Sequence, residues 1–226
     1  MKISQKQFKH LLQQNKLVLS LIGMSNIGKT YWSKKLAELN FQHFNCDDLI
    51  ETKLAPLLRA RGYSGIKDVS RWMGQPYNKR FSENQQKFLE LEAEIIKNIL
   101  AKLKNIRKNN IVIDTTGSVV HLGSSICSLL KKHTLVIYLE ATDYLREDMF
   151  RSYIKDPKPV VFGNIFRPKN GETHKQSLRR CYQKLLTKRS RLYAKYADIV
   201  IPRKSLGKNI DTMKFLSLIK KNSRYA

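Results

Sequence analysis

Gly23, Gly28, Lys29 and Thr30 fill the pattern G-x-x-x-x-G-K-[ST]. Residues of these types at this spacing make a phosphate cradle. Backbone amides from Gly23 through Ser25, Asn26, Ile27 and Gly28 surround the phosphates, the lysine ammonium reaches the outer ones, and the threonine hydroxyl binds magnesium. The loop is therefore expected to hold ATP with Mg2+, and Tyr31 ends the set of nucleotide-contacting residues. A second group with metal chemistry is Asp114, at the end of the apolar run NIVID. It either holds magnesium through water opposite Thr30, as a Walker B acid does, or is a strand-end turn residue bonded to its own backbone. The histidines show no zinc spacing, and Ser118, Ser124 and Ser125 form no nucleophile elbow. Neither metal-dependent hydrolysis nor covalent serine catalysis is assigned.

A phosphate loop works only between a strand and a helix N-terminus, whose first-turn amides lack intrahelical partners. Ahead of Gly23 runs KLVLSLI, of strand length; behind Thr30 comes YWSKKLAEL, with Trp32, Leu36 and Leu39 at helical spacing. Further along, strands are predicted at Leu17 to Ile22, Gln42 to Phe44, Ile111 to Thr115, Thr134 to Leu139 and Ile199 to Ile201. Helices are predicted at Ser33 to Leu39, Asp48 to Arg61, Glu83 to Lys104, Ser124 to Lys131, Tyr144 to Tyr153, His174 to Tyr196 and Asp211 to Lys221. Such alternation implies parallel strands joined by crossover helices, hence a three-layer α/β/α P-loop NTPase fold. The expected organisation is a single kinase domain over 1–226, with a small substrate-binding helical region at about 45–105 and basic helices at about 175–226. Residues 155–174, rich in Pro, Gly and charge, read as a long exposed loop of the lid type.

The 226 residues carry 43 Lys and Arg against 18 Asp and Glu, a formal charge of +25. A polyanionic partner such as nucleic acid, an acidic protein or an anionic membrane surface, or simply a solvated basic surface, accounts for this excess. From Lys175 onward Arg179, Arg180, Lys184, Lys188, Arg191, Lys195, Arg203, Lys204, Lys208 and Arg224 are opposed only by Asp198 and Asp211. Tyr182, Tyr193 and Tyr196 lie among them, either stacking on bases or packing in the core. Cys46, Cys127 and Cys181 are scattered and point to a reducing compartment. The first twenty residues lack a signal-peptide core and no apolar run approaches the ~18 to 20 residues of a membrane span, so a soluble cytoplasmic protein is expected. A C-terminal signal read by a specialised secretion system would escape such a reading.

The phosphate loop, FNCDDLIE after the second strand, VIDTTGS ending the third, KPVV in the lid region and LTKRSRLYAKYADIVIP together resemble the shikimate kinase-like P-loop kinases, from Leu17 to Pro202. The resemblance implies phosphoryl transfer from ATP to an alcohol. It places Asp47 at the second aspartate of the family's D-x-D, beside the accepting hydroxyl, and Asn45 at the first; Asp48 reads alternatively as a helix cap. Reading the family's G-E-x-x-F-R-x-x-E without a gap from Gly74 gives Gln75, Asn78, Lys79 and Ser82, so Lys79 or Arg80 would replace the arginine that contacts the substrate carboxylate. Thr115, Thr116 and Gly117 stand for the family's glycine triplet, and Lys158 for the lid arginine, with Lys155, Arg167 and Lys169 as competitors. Arg189 matches the substrate-binding arginine, unless it belongs to one basic helix face with its neighbours.

The leading expectation is therefore an ATP-dependent kinase acting on a small, polar, hydroxyl-bearing metabolite, with or without an anionic group. The alternatives are a kinase of nucleosides, nucleotides or polynucleotide 5′-hydroxyls, and a non-catalytic nucleotide-regulated module that binds nucleic acid or protein through the basic C-terminal helices. Oligomeric state is not legible in the sequence.

Overall fold

Leu17 to Ile22 bears apolar side chains on both faces, as a strand covered above and below requires. The computed structural model describes residues 3–63, 66–103, 109–207 and 210–223. Its elements are helix α1 (Gln5–Gln13), strand β1 (Val18–Gly23), α2 (Lys29–Ala37), β2 (Phe41–Asn45), α3 (Cys46–Arg59), α4 (Ile66–Met73) and α5 (Phe81–Lys102). There follow β3 (Asn110–Asp114), α6 (Gly123–His133), β4 (Leu135–Glu140), α7 (Asp143–Lys155), α8 (His174–Tyr196), β5 (Ile199–Pro202) and α9 (Thr212–Asn222). The strands form one parallel sheet in the order β2-β3-β1-β4-β5, flanked by helices.

Each predicted strand is present within one residue of its expected ends, and α8 coincides with its prediction. Two helices escaped the periodicity reading. Helix α1 commits a single buried residue, Phe8, and is fixed by a capping box in which Ser4 and Gln7 exchange hydrogen bonds. Helix α4 is short and packs Val69, Trp72 and Met73 inward. The predicted end of α5 at Lys104 lies outside the described residues, as do Lys208 and Arg224.

Helix α2 starts at Lys29, four residues before the predicted Ser33, because Gly28 at φ 108 serves as its N-cap and turns the chain straight from the loop into the helix. Lys29 and Thr30 thus lie in the first turn, where backbone amides are free to meet an anion. Helix α3 likewise starts at Cys46 rather than Asp48, because its cap is Asn45. The Asn45 side-chain oxygen accepts from the Asp47 amide at 3.1 Å, and its Nδ2 donates to Asp48 Oδ2 at 2.6 Å. Asp48 is therefore not the cap, and the Asn45 side-chain amide is engaged in capping.

The lid segment departs from the exposed loop read from its composition. Val160, Val161 and Phe162 are buried, and the Phe162 ring lies among Phe81, Tyr153, Phe166 and Tyr182. Burying these apolar groups offsets the cost of ordering a Pro- and Gly-rich stretch. Tyr182 and Tyr193 also pack in the core, which removes them from any base-stacking surface; Tyr196 is half-buried.

Gly23 ends β1 at φ 146, and a Cβ there would stand 2.7 Å from the Leu139 carbonyl oxygen of β4. Since neither backbone can withdraw without breaking the sheet, Gly23→Ala should cost about 2 kcal/mol or more, lowering Tm by roughly 4–8 °C. Thermal unfolding followed by circular dichroism checks this, and an unchanged Tm contradicts it.

Candidate active site

Parallel strands send all their carboxyl ends to one edge, and ligands of open α/β sheets bind there. Because β2, β3 and β1 are neighbours, Asn45 pairs with Asp114, and Asp114 with Leu21. The phosphate loop after β1, Asp47 after β2 and Asp114 at the end of β3 thereby meet.

Lys29 is 6% exposed, and its ammonium donates to the carbonyls of Gly23 (3.1 Å) and Met24 (3.0 Å). Burial pulls its pKa down, while Asp114 and Asp47 pull it up. The loop around it is shaped by Asn26 at φ 62 and anchored by buried Ile27. Thr30 is exposed in the first turn of α2, and Tyr31, 56% exposed, stands edge-on to Trp32. Trp32 in turn stacks on Phe215 of α9. A cavity of about 330 Å³ opens beside the loop between Asn26, Gly28, Tyr31 and Trp32 on one side and Arg203 and Leu206 on the other.

Two acids face the ammonium. Asp47 is half-buried, and burial raises its carboxyl to about 6 against the opposing pull of Lys29, with Asp114 adding to the rise. Asp114 is 2% exposed, and its Oδ2 is buried without a hydrogen-bond partner among the described residues; His43 Nε2, similarly unpartnered, is 3.9 Å away. A buried carboxylate oxygen left in this condition suits a hydrated cation at that edge.

Lys158 is the lid cation that reaches the loop: its Nζ donates to Asn26 Oδ1 at 2.7 Å. Of its competitors, Lys155 lines a separate groove with Lys67 and Asn78, while Arg167 and Lys169 are exposed. Arg189 is 3% exposed and stands on the inward face of α8 with Leu185, Leu186 and Tyr193, apart from its exposed basic neighbours. Its Nη2 donates to the Val161 carbonyl at 2.8 Å and its Nε to His121 Nε2 at 3.1 Å. His121 can accept because burial and the adjacent guanidinium push its pKa down to about 3 and keep it neutral. Gly117 is packed between these parts: a Cβ on it would lie 2.9 Å from Ser25 Oγ and 3.5 Å from Arg189 Nη1, and its carbonyl accepts from Tyr193 Oη at 2.5 Å.

Lys79 and Arg80 are both exposed, and Arg80 lines an outer groove with Leu57, Trp72 and Glu83. The residue that does arrive from α5 is Glu92, fully buried. Its two oxygens accept from Thr116 Oγ1 at 2.5 Å and Ser118 Oγ at 2.6 Å, so the Thr116 hydroxyl is engaged by Glu92. The visible signal was a carboxylate on the apolar stripe Phe88, Glu92, Ile95, Ile96, Ile99 of a long helix. The end of the pattern read earlier, F-R-x-x-E, falls on Phe88 and Glu92, with Leu89 at the arginine's position.

This constellation on a parallel five-stranded sheet defines a P-loop kinase fold. The profile of the shikimate kinase family matches residues 67–220, more than half of the chain, beginning after the phosphate loop. The chain belongs to the shikimate kinase family. Among solved structures, it is similar to a shikimate kinase from Acinetobacter baumannii in complex with shikimate, at 22% identity and a TM-score of 0.57, over 96% of this chain and 99% of the other. A shikimate kinase from Bacteroides thetaiotaomicron is similar at 17% identity and a TM-score of 0.56, over 91% and 97% of the two chains. At these identities the likeness speaks for the fold. No curated protein sequence gives a significant match.

Glu92 carries a stability prediction. Burial raises its carboxyl from 4.5 to about 7, opposed by the Ser118 and Thr116 hydroxyls. The folded state therefore binds the proton more tightly than the unfolded chain; this contribution is complete below 4.5 and is lost as pH rises to about 7. Relative to a Glu92→Gln variant, the Tm of the unmodified protein should fall across that interval, and a difference independent of pH contradicts the assignment.

Proposed function

We propose that the protein transfers the γ-phosphoryl group of ATP to a hydroxyl of a small polar molecule. The observation that carries this reading is the convergence of a buried lysine, Asp47 and Asp114 at the carboxyl edge of three adjacent strands. When bound, ATP supplies the phosphoryl group and magnesium screens its oxygens. The residues present fit both. Amides of residues 23–30 with Lys29 and Lys158 hold the phosphates, the cavity beside Tyr31, Trp32 and Arg203 accepts a planar base, and Thr30 with Asp114 holds the hydrated metal ion.

Asp47 orients the acceptor hydroxyl and removes its proton; a carboxyl raised to about 6 is better matched to that task near neutral pH than an ordinary aspartate. Lys29 and Lys158 balance charge on the transferred group. Residues 155–174 serve as the lid, and the seal at Val160 to Phe162 keeps water from competing for the phosphoryl group. Helices α3 to α5 form the acceptor side. We assign the activity to the cytoplasm, consistent with three cysteines that are buried and unpaired.

One further observation favours a second reading, a polynucleotide acceptor or partner. Lys184, Lys188, Arg191 and Lys195 are exposed at i, i+4, i+7 and i+11 on α8, a stripe with the periodicity of one helix face. On this reading binding of an oligonucleotide weakens steeply with salt, and its 5′-hydroxyl becomes labelled.

Lys29→Ala should reduce turnover by roughly 100-fold or more without unfolding the protein, and Asp47→Asn should lose most transfer while retaining ATP binding. Steady-state transfer of label from γ-labelled ATP, paired with nucleotide titration, measures both. Undiminished turnover in the first variant removes the phosphate-loop assignment, and full activity in the second moves the acceptor role to Asp114.

A further inference from the structure

Gln85, Leu89 and Glu92 share one face of α5, at i, i+4 and i+7. Its ends are fixed by contacts. Gln85 Oε1 accepts from the Gly163 amide of the lid at 3.0 Å, and Glu92 accepts from Thr116 and Ser118 beyond β3. Leu89, half-buried, lies along the same face between these two points. The wall that runs from the lid to the end of β3 therefore carries an amide, an alkyl group and a carboxylate, and no cation.

The other positive groups near the acceptor side are already committed. Lys29 lies on the phosphate loop and Lys158 on Asn26. Arg189 donates through Nη2 to the lid carbonyl of Val161 and through Nε to His121, so its planar fork is divided between the lid and the turn at 119–121. Arg80 lines the outer groove beside Leu57 and Trp72. A carboxylate-bearing acceptor entering here would meet Asp47 and Glu92 in a poorly hydrated site, with one guanidinium that cannot turn both its edges toward it.

We propose that the phosphoryl acceptor is an uncharged polyhydroxyl small molecule, discriminated from carboxylates by the Leu89–Glu92 wall of α5. The inference rests on the kinase reading above and deepens it. Hydroxyls of such a compound donate to Asp47 and bond to the Thr116 and Ser118 hydroxyls that Glu92 orients. The C–H face of a ring packs on Leu89. Glu92 acts here as a positioning residue, through the hydroxyls it holds.

The test uses matched pairs that differ in a carboxylate: methyl shikimate against shikimate, glucose against glucuronate, ribose against ribonate. With γ-labelled ATP and magnesium, the uncharged member of each reactive pair should show at least a tenfold higher kcat/KM. Equal or better use of the acid overturns the proposal. Leu89→Arg should shift the acid-to-neutral ratio at least tenfold toward the acid with little change in the KM for ATP; Leu89→Met, which keeps the wall apolar, should leave the ratio in place. An unchanged ratio in Leu89→Arg removes Leu89 as the discriminating residue.

Calorimetric titration of the same pairs into protein loaded with a non-hydrolysable ATP analogue and magnesium separates this inference from the transfer reading. Preferential binding of the uncharged compounds without labelling upholds the acceptor class while removing catalysis. Binding of neither member of any pair overturns the proposal.

Discussion

The Lys29 ammonium lies almost without solvent at the carboxyl edge of the sheet, held by the carbonyls of Gly23 and Met24 with Asp47 and Asp114 within electrostatic reach. An isolated charge in that position would be costly, and the surrounding architecture supplies what offsets it. Adjacent parallel strands bring the two acids, glycine at position 23 lets β1 close against β4, and glycine at position 28 turns the chain directly into α2. Each of these features also serves an anionic ligand, since phosphate oxygens can replace the carbonyls that the ammonium now meets.

Charge is distributed unevenly between surface and site. The chain carries a formal +25, yet three carboxylates, Asp47, Glu92 and Asp114, gather at the edge where chemistry is proposed. Arg180 is neutralised by Glu172 and Arg179 pairs with Glu147, while the stripe from Lys184 to Lys195 stands outside the ion pairs of the described residues. Surface positive charge of this magnitude raises the local concentration of anionic ligands such as ATP. On the acceptor reading proposed above, the acids within set what an acceptor must bring, so surface and acceptor side would select different things.

The phosphate loop, the strands and α8 were legible because each obeys a local rule: glycine spacing for the loop, short apolar runs for buried parallel strands, and a capping box ahead of a long periodic helix. Asp47, Asp114 and Arg189 were singled out in the sequence as candidates, and the fold brings them within electrostatic reach of Lys29 through contacts that local patterns do not encode. What was missed depends on tertiary partners. Lid residues Val160 to Phe162 looked exposed because proline, glycine and charge surround them, yet an aromatic cluster from other helices buries them. Glu92 was not singled out in the sequence, because its partners Thr116 and Ser118 lie more than twenty residues away along the chain. Lys79 and Arg80 were named by counting along the chain without a gap, and helix α4 with the turn after it puts them on the outside.

The central claim is that the gathered loop, lysine and acids move a phosphoryl group to a small molecule. The most direct measurement is to incubate the protein with γ-labelled ATP, magnesium and a deproteinised extract of small metabolites, beside the Lys29→Ala variant, and to resolve the labelled products by ion-exchange chromatography. The account predicts a new labelled compound of low molecular weight that forms only with the intact lysine. Label recovered solely as inorganic phosphate or in ATP, with the unmodified protein and the variant indistinguishable, would contradict it.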